Sequence, residues 1–239
     1  MFANAKPLDK KVHQYLKFSP AKGYQFAEDI PASVLSHLEM AAASRYYPIV
    51  FLTGGDNNPC MPHALLTLKQ KKNAFVTDDG VWAAGYIPMH VQRYPFILGR
   101  VAKGKNYVVM IDENAPQFQS DKGVPLFDDS GEATDFLKNT IAFLEKYIKD
   151  LEITRLLVQE IDKSGLLIPM KAKDSPKSEE KILKGFQTID AKKMLKLDDA
   201  TLAGWVRKGI MPMIHAHLTS LANFNDLAKL QGLKPPFRA

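Results

Sequence analysis

The spacing of apolar residues changes once along this chain. Between residues 49 and 112 they gather into short runs separated by turn residues, and beyond residue 130 they recur every third or fourth position. The first part therefore predicts strands: 49–53, 63–70, 73–77, 81–88, 93–102 and 106–112. Gly54-Gly55 and Asn57-Asn58 stop the first run, Asp79-Gly80 is a strong hairpin turn, and Lys103-Gly104-Lys105 is a second hairpin-like connection. Six short strands with no helical crossover between them imply an antiparallel meander. Before these strands, the first 30 residues are only weakly periodic and read as an arm over the surface. Residues 31–48 read as a short helix, with Val34, Leu35, Leu38, Ala41 and Ala42 on one face, Pro31 in its first turn and Pro48 ending it.

After Asp112 a loop leads to an amphipathic helix over 132–151. Phe136, Leu137, Ile141, Leu144, Ile148 and Leu151 line its apolar face, and Asp129 and Glu132 stand at capping-box spacing. A second helix over about 153–163 stops at Ser164-Gly165. Residues 165–170 are extended, and 182–190 read as a strand or hairpin arm. Asp198 or Asp199 caps a helix that carries Leu202, Trp205 and Val206 and stops at Gly209. Pro212 starts a last long helix bearing Ile214, His217, Leu218, Leu221 and Leu227, and residues 234–239 are irregular. The expected fold class is α+β, with a meander sheet in the first half packed on helices of the second. The expected organisation is an arm over 1–30 and a single domain over 31–239, sheet-rich to about residue 130 and helix-rich after it.

Composition narrows the class. Of 239 residues, 46% are hydrophobic and 24% charged, which excludes disorder, collagen-like sequence and a disulfide scaffold. No apolar run approaches the roughly 20 residues of a membrane span, so membrane insertion is not expected. No apolar leader segment stands near the start, and Cys60 is the lone cysteine, so a reducing, cytoplasmic location is expected. The net charge of +6 is concentrated in residues 1–22 (+4) and 163–196 (+5), leaving the remainder at −3. The lysine-rich stretch 171–181 mixes both signs and has no aromatic residue. It reads as a solvated loop, and nucleic acid is not the expected partner.

The chain has no phosphate-binding glycine loop, dinucleotide fingerprint, zinc helix motif or nucleophile elbow, so no cofactor is expected. His215 and His217, two apart on a predicted helix, point about 200° from each other. One is expected buried and one exposed, and no metal site is expected. The chemistry-bearing residue types cluster between Tyr86 and Asp112. His90 stands between two predicted strands, where a loop on a rigid scaffold can carry function. Arg93 has two roles open: a bidentate grip on a carboxylate or phosphate, or a structural one, stacking on Tyr94 or tying down a loop carbonyl. Asp112 and Glu113 lie at a strand end, a common place for catalytic carboxylates. Tyr86, His90, Arg93, Tyr94 and Asp112 are therefore the candidate ligand-binding residues, with no catalytic residue assigned. Trp82 and Trp205 read as core.

The order of segments 46–52, 74–88, 92–98, 111–116, 123–132 and 209–227 resembles the SapC-like family, over about residues 30 to 230. That family is named for its association with bacterial surface-layer protein genes. The resemblance implies a single bacterial domain with an accessory role, and it brings no catalytic residues with it. The family usually has two consecutive arginines before its Tyr-Pro-Phe segment, whereas here Gln92 precedes Arg93.

Two functional readings follow. One is a non-enzymatic cytoplasmic accessory or binding protein linked to a surface or secreted protein, with a protein or peptide partner. The other is an enzyme acting on a small molecule or peptide in a pocket near Tyr86–Asp112. The sequence leaves the oligomeric state open.

Overall fold

The computed structural model describes residues 1–2, 4–20, 23–53, 59–68, 72–100, 107–119, 122–172 and 181–233. The turn signals at 54–58 and 103–105, most of the lysine-rich stretch 171–181 and the tail 234–239 lie outside the described residues.

The main sheet has five strands, all antiparallel: β3 (Ala32–Val34), β4 (Ile49–Leu52), β5 (Met61–Leu65), β9 (Leu167–Ala172) and β10 (Lys181–Ile189). Their order is β3-β5-β4-β10-β9. β4 is central, and Ile49, Val50 and Phe51 are all at 0% exposure. A continuous apolar run suits a strand covered on both faces. In register, Phe51 faces Pro62 on β5 and Gln187 on β10.

A second sheet joins β1 (Ala5–Pro7), β7 (Tyr107–Asp112) and β6 (Phe96–Arg100) in the order β1-β7-β6. β2 (Lys17–Phe18) and β8 (Val124–Pro125) form a two-stranded ribbon. The helices are α1 (Lys10–His13), α2 (Met40–Ala43), α3 (Met89–Gln92), α4 (Asp135–Lys163), α5 (Ala191–Met194), α6 (Asp199–Lys208), α7 (Ile210–Ser220) and α8 (Asn223–Leu230).

The class is α+β, as the sequence implies, with most antiparallel strands early and the main helices late. The predicted single meander is divided between two sheets, and the larger one takes β9 and β10 from the second half. Local details also differ from the sequence reading. Residues 32–34 form a strand on β5, not a helix, because pairing Ala32 with Leu65 overrides a weak helical pattern. Only Met40–Ala43 is helical there. The Asp79-Gly80 turn forms, with the Gly80 amide on the Thr77 carbonyl at 2.8 Å and Gly80 at φ +77°. Its flanks bridge only at Val76 and Trp82, because Phe75 and Trp82 turn their side chains into the core instead of extending a ladder.

The two helices predicted over 132–163 are one 29-residue helix. Its cap is Thr134, whose Oγ1 accepts from the Leu137 amide at 3.4 Å. The expected cap box at Asp129 and Glu132 does not form. Asp128 instead closes a local turn, its Oδ1 accepting from the amides of Ser130 and Glu132, both at 2.9 Å. α6 begins as expected, with the Asp198 carboxylate accepting from the Thr201 amide at 2.9 Å, and ends at Gly209 with φ +79°. The predicted last helix is two, α7 and α8, broken after Ser220.

Two hydrophobic clusters result. One packs α2, the end of α4 and α6–α8 about the five-stranded sheet. The other packs β6, β7 and the start of α4, including Leu137 and Leu144. Helix α4 runs through both, and Phe26 packs against both. The segment from Tyr86 to Tyr94 lies where they meet.

Candidate functional site

Pro88 starts the single turn of α3, and its exposed amide end needs an acceptor. Glu39 supplies it from the loop before α2: Oε1 accepts from the Met89 amide at 2.7 Å and from the Tyr86 hydroxyl at 2.9 Å. Its Oε2 accepts from the Ser36 amide at 2.8 Å. Glu39 is 1% exposed, so three donors hold a carboxylate that water does not reach. The Tyr86 carbonyl accepts from the Tyr47 hydroxyl, which in turn accepts from the Trp82 indole at 2.8 Å. Burial pushes the Tyr47 and Tyr86 hydroxyls far above the usual tyrosine range, and Glu39 adds to the effect at Tyr86.

His90 sits on α3 rather than in a loop between strands, and it is half-buried. Its Nδ1 lies 3.3 Å from the Tyr147 hydroxyl of α4. Burial, and then the neighbouring Arg93 charge, hold it down to about 3, so the ring is neutral near pH 7. Arg93 caps the same turn. Its guanidinium lies 5.0 Å from the Phe2 ring centroid and 5.4 Å from that of Tyr147, and its Nε donates to the His90 carbonyl at 3.3 Å. This is the stacking role, realised on Phe2 and Tyr147 instead of Tyr94. Gln92 is exposed and donates to the Ile87 carbonyl at 2.5 Å, turned from Arg93's partners.

Tyr94 and Asp112 form a separate pair. The Tyr94 hydroxyl donates to Asp112 Oδ2 at 3.2 Å, and both residues are under 10% exposed. Phe26 stacks on Tyr94 at 4.4 Å, and Phe2 meets it edge-on at 5.3 Å. Burial, then Asp112, push the Tyr94 hydroxyl up to about 12. Glu113, next along the chain, is tied to Lys6 at 2.5 Å and His13 at 2.9 Å, which hold its carboxyl below the usual range.

The five candidate residues thus fall into two groups. Tyr86, His90 and Arg93 converge around Glu39 and Tyr147, while Tyr94 pairs with Asp112. Sequence reasoning missed Glu39 and Tyr147. Glu39 had a signal, a carboxylate amid apolar residues where helix geometry would expose it. Tyr147 lies on the buried face of α4 between Leu144 and Leu151, where its spacing alone does not distinguish it from core.

Other groups are tied down as well. His217 is fully buried and His215 exposed, as their spacing implies. The His217 Nδ1 donates to the Ile49 carbonyl at 2.8 Å, and its Nε2 accepts from the Ile189 amide at 3.2 Å. Burial, then Asp162, push the half-buried Cys60 thiol up to about 12, and it donates to Gln187 at 3.3 Å. That state is unsuited to nucleophilic chemistry. A cleft of about 260 Å³ opens beside Cys60, and another of about 840 Å³ beside Tyr15, Phe127 and Asp128. None of the five candidate residues lines either cleft.

A buried carboxylate held by three donors, a neutral histidine on a tyrosine and a tyrosine–aspartate pair form an internal scaffold. Known proteins add one finding. No curated protein and no solved structure matches the chain. The SapC family model matches residues 8–227, a span that contains every candidate residue together with Glu39 and Tyr147. The chain therefore belongs to the SapC family.

Proposed function

We propose that this SapC-family protein is a non-enzymatic accessory or binding protein, acting in the bacterial cytoplasm on a surface or secreted protein. One observation carries the reading: the groups that general acid–base chemistry would need are engaged within the protein. Asp112 accepts from Tyr94, Glu39 accepts from three donors, and His90 is neutral against Tyr147. A general base must reach a substrate proton at about 2.6–3.2 Å; Glu39 and Asp112 are 1% and 6% exposed, and the lowered basicity of His90 makes it a weak proton acceptor. No helix among the described residues is long and apolar enough to cross a membrane. The basic residues 1–22 and the lone Cys60 suit a protein working on a partner in a reducing compartment.

The test is to tag the protein in its own host. Wild type should retain a specific surface or secreted protein. A variant carrying His90→Gln and Asp112→Asn, which keeps the shapes and removes the titrating groups, should retain it within about twofold. If that variant stays folded but loses the biological activity while the wild type shows no partner, the enzyme reading takes over.

A further inference from the structure

Within this scaffold the charged head of Arg93 is only partly engaged among the described residues. Arg93 is half-buried, and of its donors only Nε has a protein acceptor among the described residues, the His90 carbonyl. None of the ion pairs among the described residues includes it. A buried guanidinium ordinarily meets a carboxylate, because desolvating the charge without a counter-ion is costly. Burial does lower the Arg93 pKa from its usual value. The rings of Phe2 and Tyr147 both lie within 5.4 Å of the group and attract its charge without using its hydrogen-bond donors. The two terminal nitrogens are what a planar two-oxygen anion engages side by side.

His90 is neutral here, and the positive charges that act on it are the Arg93 guanidinium first and then the amino terminus of Met1. Glu39, a buried acid, lies close enough to raise the Tyr147 hydroxyl further. One carboxylate matches the guanidinium in shape, its two oxygens lying in one plane with the two terminal nitrogens.

We infer that Arg93, beside the rings of Phe2 and Tyr147, is a binding point for a carboxylate of the partner. Such a group is an acidic side chain or a chain terminus. The inference deepens the accessory reading and rests on it for the source of the carboxylate.

The experiment uses the full chain and benzoate as the probe, with inorganic phosphate and sodium chloride at matched ionic strength. Titration calorimetry should show benzoate binding to wild type, weakened at least tenfold in Arg93→Lys, which keeps the charge and loses the planar fork. Arginine modification by phenylglyoxal, read by mass spectrometry on wild type alone, covers the case in which that variant does not fold. Benzoate should slow modification of Arg93 at least fivefold and leave the exposed Arg207 unchanged. Equal benzoate affinity in folded wild type and Arg93→Lys, unprotected Arg93, or tighter binding of phosphate than of benzoate each overturns the inference. A host partner retained equally by wild type and Arg93→Lys overturns it while leaving the accessory reading in place. Benzoate protection of Arg93 in a protein that retains no host partner upholds the carboxylate point and removes the accessory reading.

Discussion

Glu39 shows how a single residue organises the centre of this protein. Its carboxylate ties the loop at Ser36, the Tyr86 hydroxyl and the amide end of α3 into one point at 1% exposure. Glu39→Gln replaces an acceptor oxygen with an amide donor that faces donors. Hydrogen bonds to a buried charged group contribute about 1.5–3 kcal/mol, so urea unfolding should show a loss of about 2–4 kcal/mol. A loss under about 0.5 kcal/mol would mean that Glu39 does not hold the segment.

His217 gives the second residue-scale prediction. Burial lowers it to about 4 in the folded protein, against an ordinary value near 6.5. Between these values the unfolded chain binds a proton that the folded one does not, so stability is full above about pH 6.5 and falls as pH drops toward 4. The slope is about 1.4 kcal/mol per pH unit for one histidine, or about 3 kcal/mol over the window. His90, also lowered, adds in the same direction. His217→Gln should reduce the slope of unfolding free energy between pH 4.5 and 6 by about that amount per unit. An unchanged slope would show that His217 is not the buried neutral group. The opposed fates of His215 and His217 were legible from a two-residue spacing on a helix. The partners of His217, Ile49 and Ile189, were not, because they lie more than 25 residues away in sequence.

At the scale of elements, periodicity read best where the local pattern and the final packing agree. α6 is such a case: Asp198 caps it, Trp205 is buried and Gly209 ends it in the left-handed region. The reading failed where a distant strand decided the outcome. Ala32–Val34 carries a helical pattern yet pairs with β5, and Phe75 and Trp82 alternate like strand residues yet serve as core anchors over a single bridge. The start of α4 was misread for a different reason. Asp128, Asp129, Thr134 and Glu132 are all capping types within seven residues, and only the fold selects Thr134 for the helix and Asp128 for the turn before it. Two substitutions separate these roles. Thr134→Ala should cost about 1 kcal/mol of unfolding free energy, in the usual range for an N-cap, while Asp129→Ala should stay within about 0.5 kcal/mol. Equal losses would return the cap to Asp129.

For the whole molecule, the sequence carried the class and the family, since apolar periods and segment order are properties of the chain itself. It also carried part of one side-chain cluster, since Tyr86, His90 and Arg93 converge near Glu39 and Tyr147. It did not carry the grouping, because Glu39 and Tyr147 join from segments about fifty residues to either side, and Phe2 joins from the start of the chain, touching both Arg93 and Tyr94. Among the described residues that centre joins internal hydrogen bonds at Glu39, His90 and Tyr147 to the guanidinium of Arg93, and the proposed role is to hold a partner. Native mass spectrometry of the protein purified gently from its own host at moderate salt tests this most directly. A binding role predicts a complex whose extra mass is a defined protein or peptide. A partner-free monomer that converts a small molecule would contradict it.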